Sequence, residues 1–214
     1  MSWDAEYSKN REIWGEMPSE LALVVVLKLA SSKGRRLKVL DIGCGYGRDT
    51  IYMARSLGFR VLGIDISPKA VELAKENAAN ALTKNAEFMV SDFRDIKGLF
   101  DVVLVSNLYH LLESTERRDL VSHITRLLVP GGRLFLNAVS VRDSEHYGVG
   151  APVQGEENSW VDGKYIHLST EGELRRDFSA LKVSELYEHE YEEPHPGART
   201  HNHVAWILVA DKPD

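Results

Sequence analysis

Cysteine is almost missing from this chain: its 214 residues include one, Cys44. An internal disulfide is thereby excluded, and with it the cross-linked architecture of small secreted domains. Long hydrophobic runs are missing as well. The longest, Leu21 to Leu27 with Leu29 and Ala30 beyond Lys28, falls well short of the roughly 20 residues a membrane-spanning helix needs. Basic charge is in deficit, with 26 Lys and Arg against 32 Asp and Glu for a net charge of −6. That balance argues against nucleic-acid binding, which depends on clustered cations. There is no repeat of the length that marks solenoids and no low-complexity segment. The opening MSWDAEYSKNRE carries acids where a secretion signal would carry a positive flank, so the expected setting is cytoplasmic, away from membranes.

What remains is an ordinary globular composition, 43% hydrophobic and 27% charged, in a length that suits one domain with a full core. Short apolar runs recur at Leu37 to Ile42, Phe59 to Ile64, Glu87 to Val90, Phe100 to Val105 and Arg133 to Ala138. Helical patterns lie between them: Asp49 to Leu57 stopped by Gly58, a helix opened by Ser67-Pro68, and another from about Ser114 to Leu128. Strands alternating with helices predict an α/β fold with a parallel sheet, and near-continuous apolar strands predict burial on both faces. Two further strands, Lys182 to Tyr191 and His203 to Ala210, flank the turn EEPHPGART and predict an antiparallel hairpin.

The chemistry gathers at the ends of these strands. Lys38 to Thr50 reads KVLDIGCGYGRDT, a strand entering a turn with glycine at Gly43, Gly45 and Gly47. Glycine there lets backbone approach a ligand closely. The dinucleotide-binding fingerprint leaves two residues before its third glycine, whereas this turn leaves one. Asp41, Asp65, Asp92 and Asn107 fall at or just beyond successive strand ends, where open α/β sheets bind ligands.

Asp41-x-Gly43-x-Gly45-x-Gly47 resembles the first motif of class I S-adenosylmethionine-dependent methyltransferases. Asp65 at the second strand end, Asp92-Phe93, Ser106-Asn107 after the fourth strand and Leu128-Val129-Pro130-Gly131-Gly132 before the fifth extend the likeness over Lys38 to Lys212. Within the family, GCGYGRDT and the chain length are similar to the small-molecule, tellurite-resistance and thiopurine type. The resemblance implies a Rossmann-like, doubly wound sheet of seven strands, mostly parallel with an antiparallel C-terminal hairpin. It also implies S-adenosylmethionine as cofactor and a small-molecule methyl acceptor. The cofactor residues it points to are Asp41, Gly43, Cys44, Gly45, Gly47, Arg48, Asp65, Ile66, Asp92, Phe93, Ser106 and Asn107. Asp65 would hold the ribose, Asp92 and the Phe93 N–H the adenine, and carbonyls near Ser106 and Asn107 the methionyl end. Arg48 either reaches the cofactor carboxylate or pairs with a surface acid. Cys44 suits a small side chain tucked under the turn rather than a nucleophile.

The expected organisation is one domain over 1–214. Residues 1–36, with Trp3, Tyr7 and Trp14, form a lid and helix, and 37–138 the cofactor-binding core. Residues 139–168 make an acceptor-side insertion without regular structure, and 169–214 a helix and the hairpin. A base is needed only if the acceptor arrives protonated. His110, His201 and His203 are the candidates for that role or for orienting the acceptor. The spacing of His195, His201 and His203 would also permit a metal, although none is expected. The protein is expected to be a monomer or homodimer. Two other readings stay open: a nicotinamide-dependent oxidoreductase, and a non-catalytic S-adenosylmethionine-binding sensor or partner subunit.

Overall fold

The computed structural model describes residues 3–32, 35–193 and 201–214. In chain order the strands are β1 (Lys38–Ile42), β2 (Arg60–Asp65), β3 (Ala86–Val90), β4 (Phe100–Val105), β5 (Leu128–Val139), β6 (Ala151–Pro152), β7 (Ser159–Asp162), β8 (Lys164–His167), β9 (Lys182–Glu193) and β10 (His201–Asp211). The α-helices are α1 (Trp3–Lys9), α2 (Glu20–Leu29), α3 (Arg48–Leu57), α4 (Pro68–Asn80), α5 (Ser114–Leu127) and α6 (Glu171–Asp177). The main sheet has the order β3-β2-β1-β4-β5-β10-β9. Strands β1 to β5 pair in parallel, and β10 runs antiparallel to both β5 and β9.

Alternate residues of a strand point to opposite faces, and here both faces are buried. Val39, Val61, Val102 and Leu104 pack with Leu21 and Val25 of α2 and Met53 and Leu57 of α3. Leu40, Ile42, Val103 and Val105 pack on the other side with Leu120 and Ile124 of α5 and Leu174 of α6. The doubly wound arrangement follows from that division.

The helix ends are where the sequence signals place them. The Ser67 hydroxyl accepts from the Ala70 N–H at 3.1 Å, and Gly58 in the left-handed region donates to the Ala54 carbonyl. Thr170 caps α6 by accepting from the Glu173 N–H at 3.2 Å. One segment departs from expectation. Residues 139–168 are not an irregular loop but carry β6, β7 and β8, a separate antiparallel sheet of three short strands. Its two ends are joined at the main sheet by a parallel bridge between Ser140 and Ser169. The turn EEPHPGART runs largely through 194–200, and His195 with it, outside the described residues.

Candidate functional site

Strand order reverses between β1 and β4, which leaves a crevice at their carboxyl ends. The turn after β1 forms its floor. The Gly43 and Cys44 N–H groups both donate to the Ile64 carbonyl at the end of β2, at 2.8 and 2.9 Å. Gly43, Gly45 and Gly47 take φ of 77°, 53° and 83°, the left-handed region that glycine enters without strain. A Cβ on Gly47 would come within 2.9 Å of the Phe88 ring, and one on Gly45 within 2.7 Å of the Tyr7 hydroxyl. These glycines therefore answer to packing beneath and above the turn as much as to a ligand. Gly63 of β2 is constrained in the same way, because Cys44 and Thr50 fill the space above it.

Every residue expected to bind the cofactor lines this crevice except Gly47, which instead caps α3. Asp65 spans the turn: its Oδ2 accepts from the Gly45 N–H and its Oδ1 from the Ser67 N–H, both at 2.9 Å. Burial raises the Asp65 pKa, and those N–H groups oppose the rise. Asp41 lies deeper. Its carboxylate accepts from the Thr50 hydroxyl, and burial, reinforced by neighbouring Asp49, pushes its pKa up to about 7. Burial also lifts the Cys44 thiol well above its usual range, with Asp41 and Asp65 adding to the effect. Cys44 is thus a packing residue. At the crevice edge Asp92 holds Arg94, accepting its N–H at 2.8 Å and its guanidinium at 3.0 Å.

Arg48 has a settled partner. Its guanidinium donates to the Trp14 carbonyl and lies 3.5 Å from Asp49. It pins the N-terminal segment rather than pairing with an acid at the surface. Asn107 takes φ of 52° and exchanges two hydrogen bonds of 2.7 Å with Asn137 of β5. Asn137 escaped the sequence reading, as did Asp49, which accepts both the N–H and the hydroxyl of Ser19. Both pairings join residues about thirty positions apart, and no local pattern announces them.

A second cavity of about 420 Å³ adjoins the first, and Trp3, Trp14, Asn107 and Leu111 line both. His110 and His203 face this second cavity. The His201 side chain lies outside the description, although its backbone pairs with Glu193. His110 is buried with no hydrogen-bond partner for Nδ1 among the described residues. Burial, with His146 and His203 nearby, lowers its pKa to about 3. His203 meets Asp143, at 3.1 Å, and the ring of His146. Sequence reasoning named neither of these residues.

The family description "Methyltransferase domain" matches residues 39–132. The chain is 38% identical over 104 residues to an uncharacterized methyltransferase of Synechocystis, 49% of this chain and 47% of that protein. It is 30% identical over 112 residues to an uncharacterized methyltransferase of Schizosaccharomyces pombe, 51% of this chain and 76% of that protein. The chain belongs to the S-adenosylmethionine-dependent methyltransferases. The match spans about half the length of the first curated relatives. A 1,6-didemethyltoxoflavin-N1-methyltransferase of Burkholderia thailandensis, solved with 1,6-didemethyltoxoflavin and S-adenosylhomocysteine, shares the fold. Its TM-score is 0.67 at 22% identity, over 98% of this chain and 85% of that one.

Set against the methyltransferase ligand, the donor set is apt. Carboxylates of Asp41, Asp65, Asp92 and Glu116 line the crevice, against two guanidinium groups that already have partners. Such a surface suits a ligand with a cationic end and hydroxyl groups, and suits a pyrophosphate poorly.

Proposed function

We propose that the chain binds S-adenosylmethionine in the crevice above the glycine turn and methylates a small molecule held in the adjoining cavity. The contact between the two cavities at Asn107 and Leu111 carries this reading, because methyl transfer needs donor and acceptor in line. Asp65, on the crevice wall, takes the ribose hydroxyls through charge-assisted bonds. Asp41 faces the methionyl ammonium. Ile66 and Phe93 flank the adenine, and Asp92 lies within reach of its amino group. S-adenosylmethionine supplies a methyl on a sulfonium, an already activated leaving group. The protein's share is alignment, worth up to roughly 7–11 kcal/mol when the geometry is right.

The acceptor cavity falls within the size range of small-molecule sites. Residues 1–36 form the cover of the site and 139–168 its acceptor side, within one domain. The toxoflavin relative, which carries a small heteroaromatic acceptor, supports the same acceptor class here. His110, neutral at pH 7, serves as a hydrogen-bond partner that positions the acceptor, and His203 stands beside it.

Isothermal titration separates this proposal from its rivals. S-adenosylhomocysteine should bind while NADH at the same concentration does not. Transfer of labelled methyl from S-adenosylmethionine into a fractionated metabolite pool should follow. Binding without any transfer would leave a sensor or partner subunit as the better description.

A further inference from the structure

The insertion and the last strand meet at a buried carboxylate. Asp143 has a fully buried side chain, and both its oxygens are engaged. Oδ1 accepts from the Glu145 and His146 N–H groups at 3.1 Å and from His146 Nδ1 at 3.0 Å. Oδ2 accepts from the Val204 N–H at 2.9 Å and from His203 Nδ1 at 3.1 Å. The two imidazoles stack with centroids 5.1 Å apart, and both line the acceptor cavity.

Burial alone would raise the Asp143 pKa, but the hydrogen bonds from His146, His203 and Val204 outweigh it and hold the carboxyl well below the usual range. An ionised carboxylate can only accept, so Nδ1 of His146 carries the proton. That fixes the tautomer and leaves the Nε2 lone pair on the opposite edge of the ring. The side chain is 36% exposed and lines the acceptor cavity. His110 does not meet the same need, since burial makes it a poor base.

Resting on the methyltransferase reading above, we propose that His146, oriented by Asp143, is the general base of the reaction, and that the acceptor is a planar aromatic bearing a weakly acidic hydroxyl. A base has work to do only on an acceptor that arrives protonated, and the cavity offers Trp3, Trp14, Tyr165 and Tyr191 as walls for a flat ring. As the carbon–oxygen bond forms, the carbon–sulfur bond breaks and its electron pair stays on sulfur. The hydroxyl proton passes to His146 Nε2. The imidazolium, held in place by Asp143, then loses its proton to water. Asp143 is a positioning residue. Ligand atoms of Asp143, His146 and His203 lie within 4.8 Å of one another, a spacing that also suits a divalent cation. Asp143, however, already accepts five hydrogen bonds through its two oxygens.

The test uses the full chain, a panel of phenols and hydroxyquinolines of graded acidity, and His146→Gln. Affinity for S-adenosylhomocysteine should stay within about twofold. With weakly acidic phenols kcat should fall roughly 10²–10⁴-fold. With nitrophenols already ionised at the assay pH it should fall far less. Without turnover, a nitrophenol that is still mostly protonated in solution at the assay pH, bound beside S-adenosylhomocysteine, should show a weaker phenolate absorption band in the variant than in the wild type. Asp143→Asn should reproduce both effects in milder form. If it fails to fold, His146→Gln still decides. An equal loss across the panel, or no loss, overturns the base. No methylation of any phenol by a protein that binds S-adenosylhomocysteine overturns the acceptor class and leaves the cofactor reading standing. Activity abolished by EDTA and restored by Zn²⁺ or Mg²⁺ overturns the proposal in favour of a metal site.

Discussion

His110 illustrates how a single side chain couples this fold to pH. Its pKa of about 3 in the folded protein lies below the value near 6.5 of a free imidazole. Between those values the unfolded chain holds a proton that the folded chain lacks. The stability His110 contributes is therefore complete above about pH 6.5 and declines as pH falls toward 3, by up to about 1.4 kcal/mol per pH unit. Asp41, pushed up to about 7, acts in the opposite sense, and its contribution declines as pH rises from its ordinary value toward 7. A His110→Gln variant isolates the first effect. Its urea midpoint should change less between pH 6.5 and 4.5 than that of the wild type, and parallel curves would contradict the assignment. At this scale the candidate site was legible where its lining follows local order. The acids at strand ends and the glycine turn were found because each is read within a few positions. Asp143 and His203, 60 positions apart, meet only once the sheet has formed, so no spacing rule could reveal them.

At the scale of elements, α1 and the segment after it pack against the glycine turn and its flanks, the contacts behind their proposed role as a cover. Tyr7 packs over the glycine turn, and the Tyr46 hydroxyl donates to the Gly15 carbonyl at 2.6 Å and accepts from the Trp14 N–H at 3.2 Å. Asp4 fastens the other end, accepting from the Ser67 hydroxyl at 2.8 Å and from the Lys69 N–H at 2.9 Å. Asp4 lies away from the crevice, so Asp4→Ala tests the cover without touching the ligand surface. S-adenosylhomocysteine should dissociate roughly two- to tenfold faster, as expected when the two hydrogen bonds lost from a closed state contribute about 0.5–1.4 kcal/mol together. Stopped-flow displacement measures the rate, and an unchanged rate would show that the segment does not gate release. Helices α3 and α4 were legible because Gly58 and Ser67 are cap residues of known preference. The three-stranded sheet was not. Strands of two to four residues are too short for alternation to register, and Gly- and Asp-rich surroundings resemble loop.

Across the whole molecule, the parallel order was legible because both faces of each central strand are apolar, and the closing hairpin because its turn is rich in Pro and Gly. One global measurement joins fold to function. A ligand that binds only the folded chain stabilises it by about 2.7 kcal/mol at 100 times its Kd. For a domain of this size that corresponds to a rise of about 5–11 °C in Tm. S-adenosylhomocysteine should give such a shift in scanning calorimetry, and NADH none. The chain's one thiol offers a finer view. Cys44 is shut between the glycine turn and Gly63, and it is hard to ionise there. A reagent can reach it only when the turn lifts off β2. The pace of its labelling therefore counts how often the cofactor crevice breathes, and the protein carries its own clock for that event.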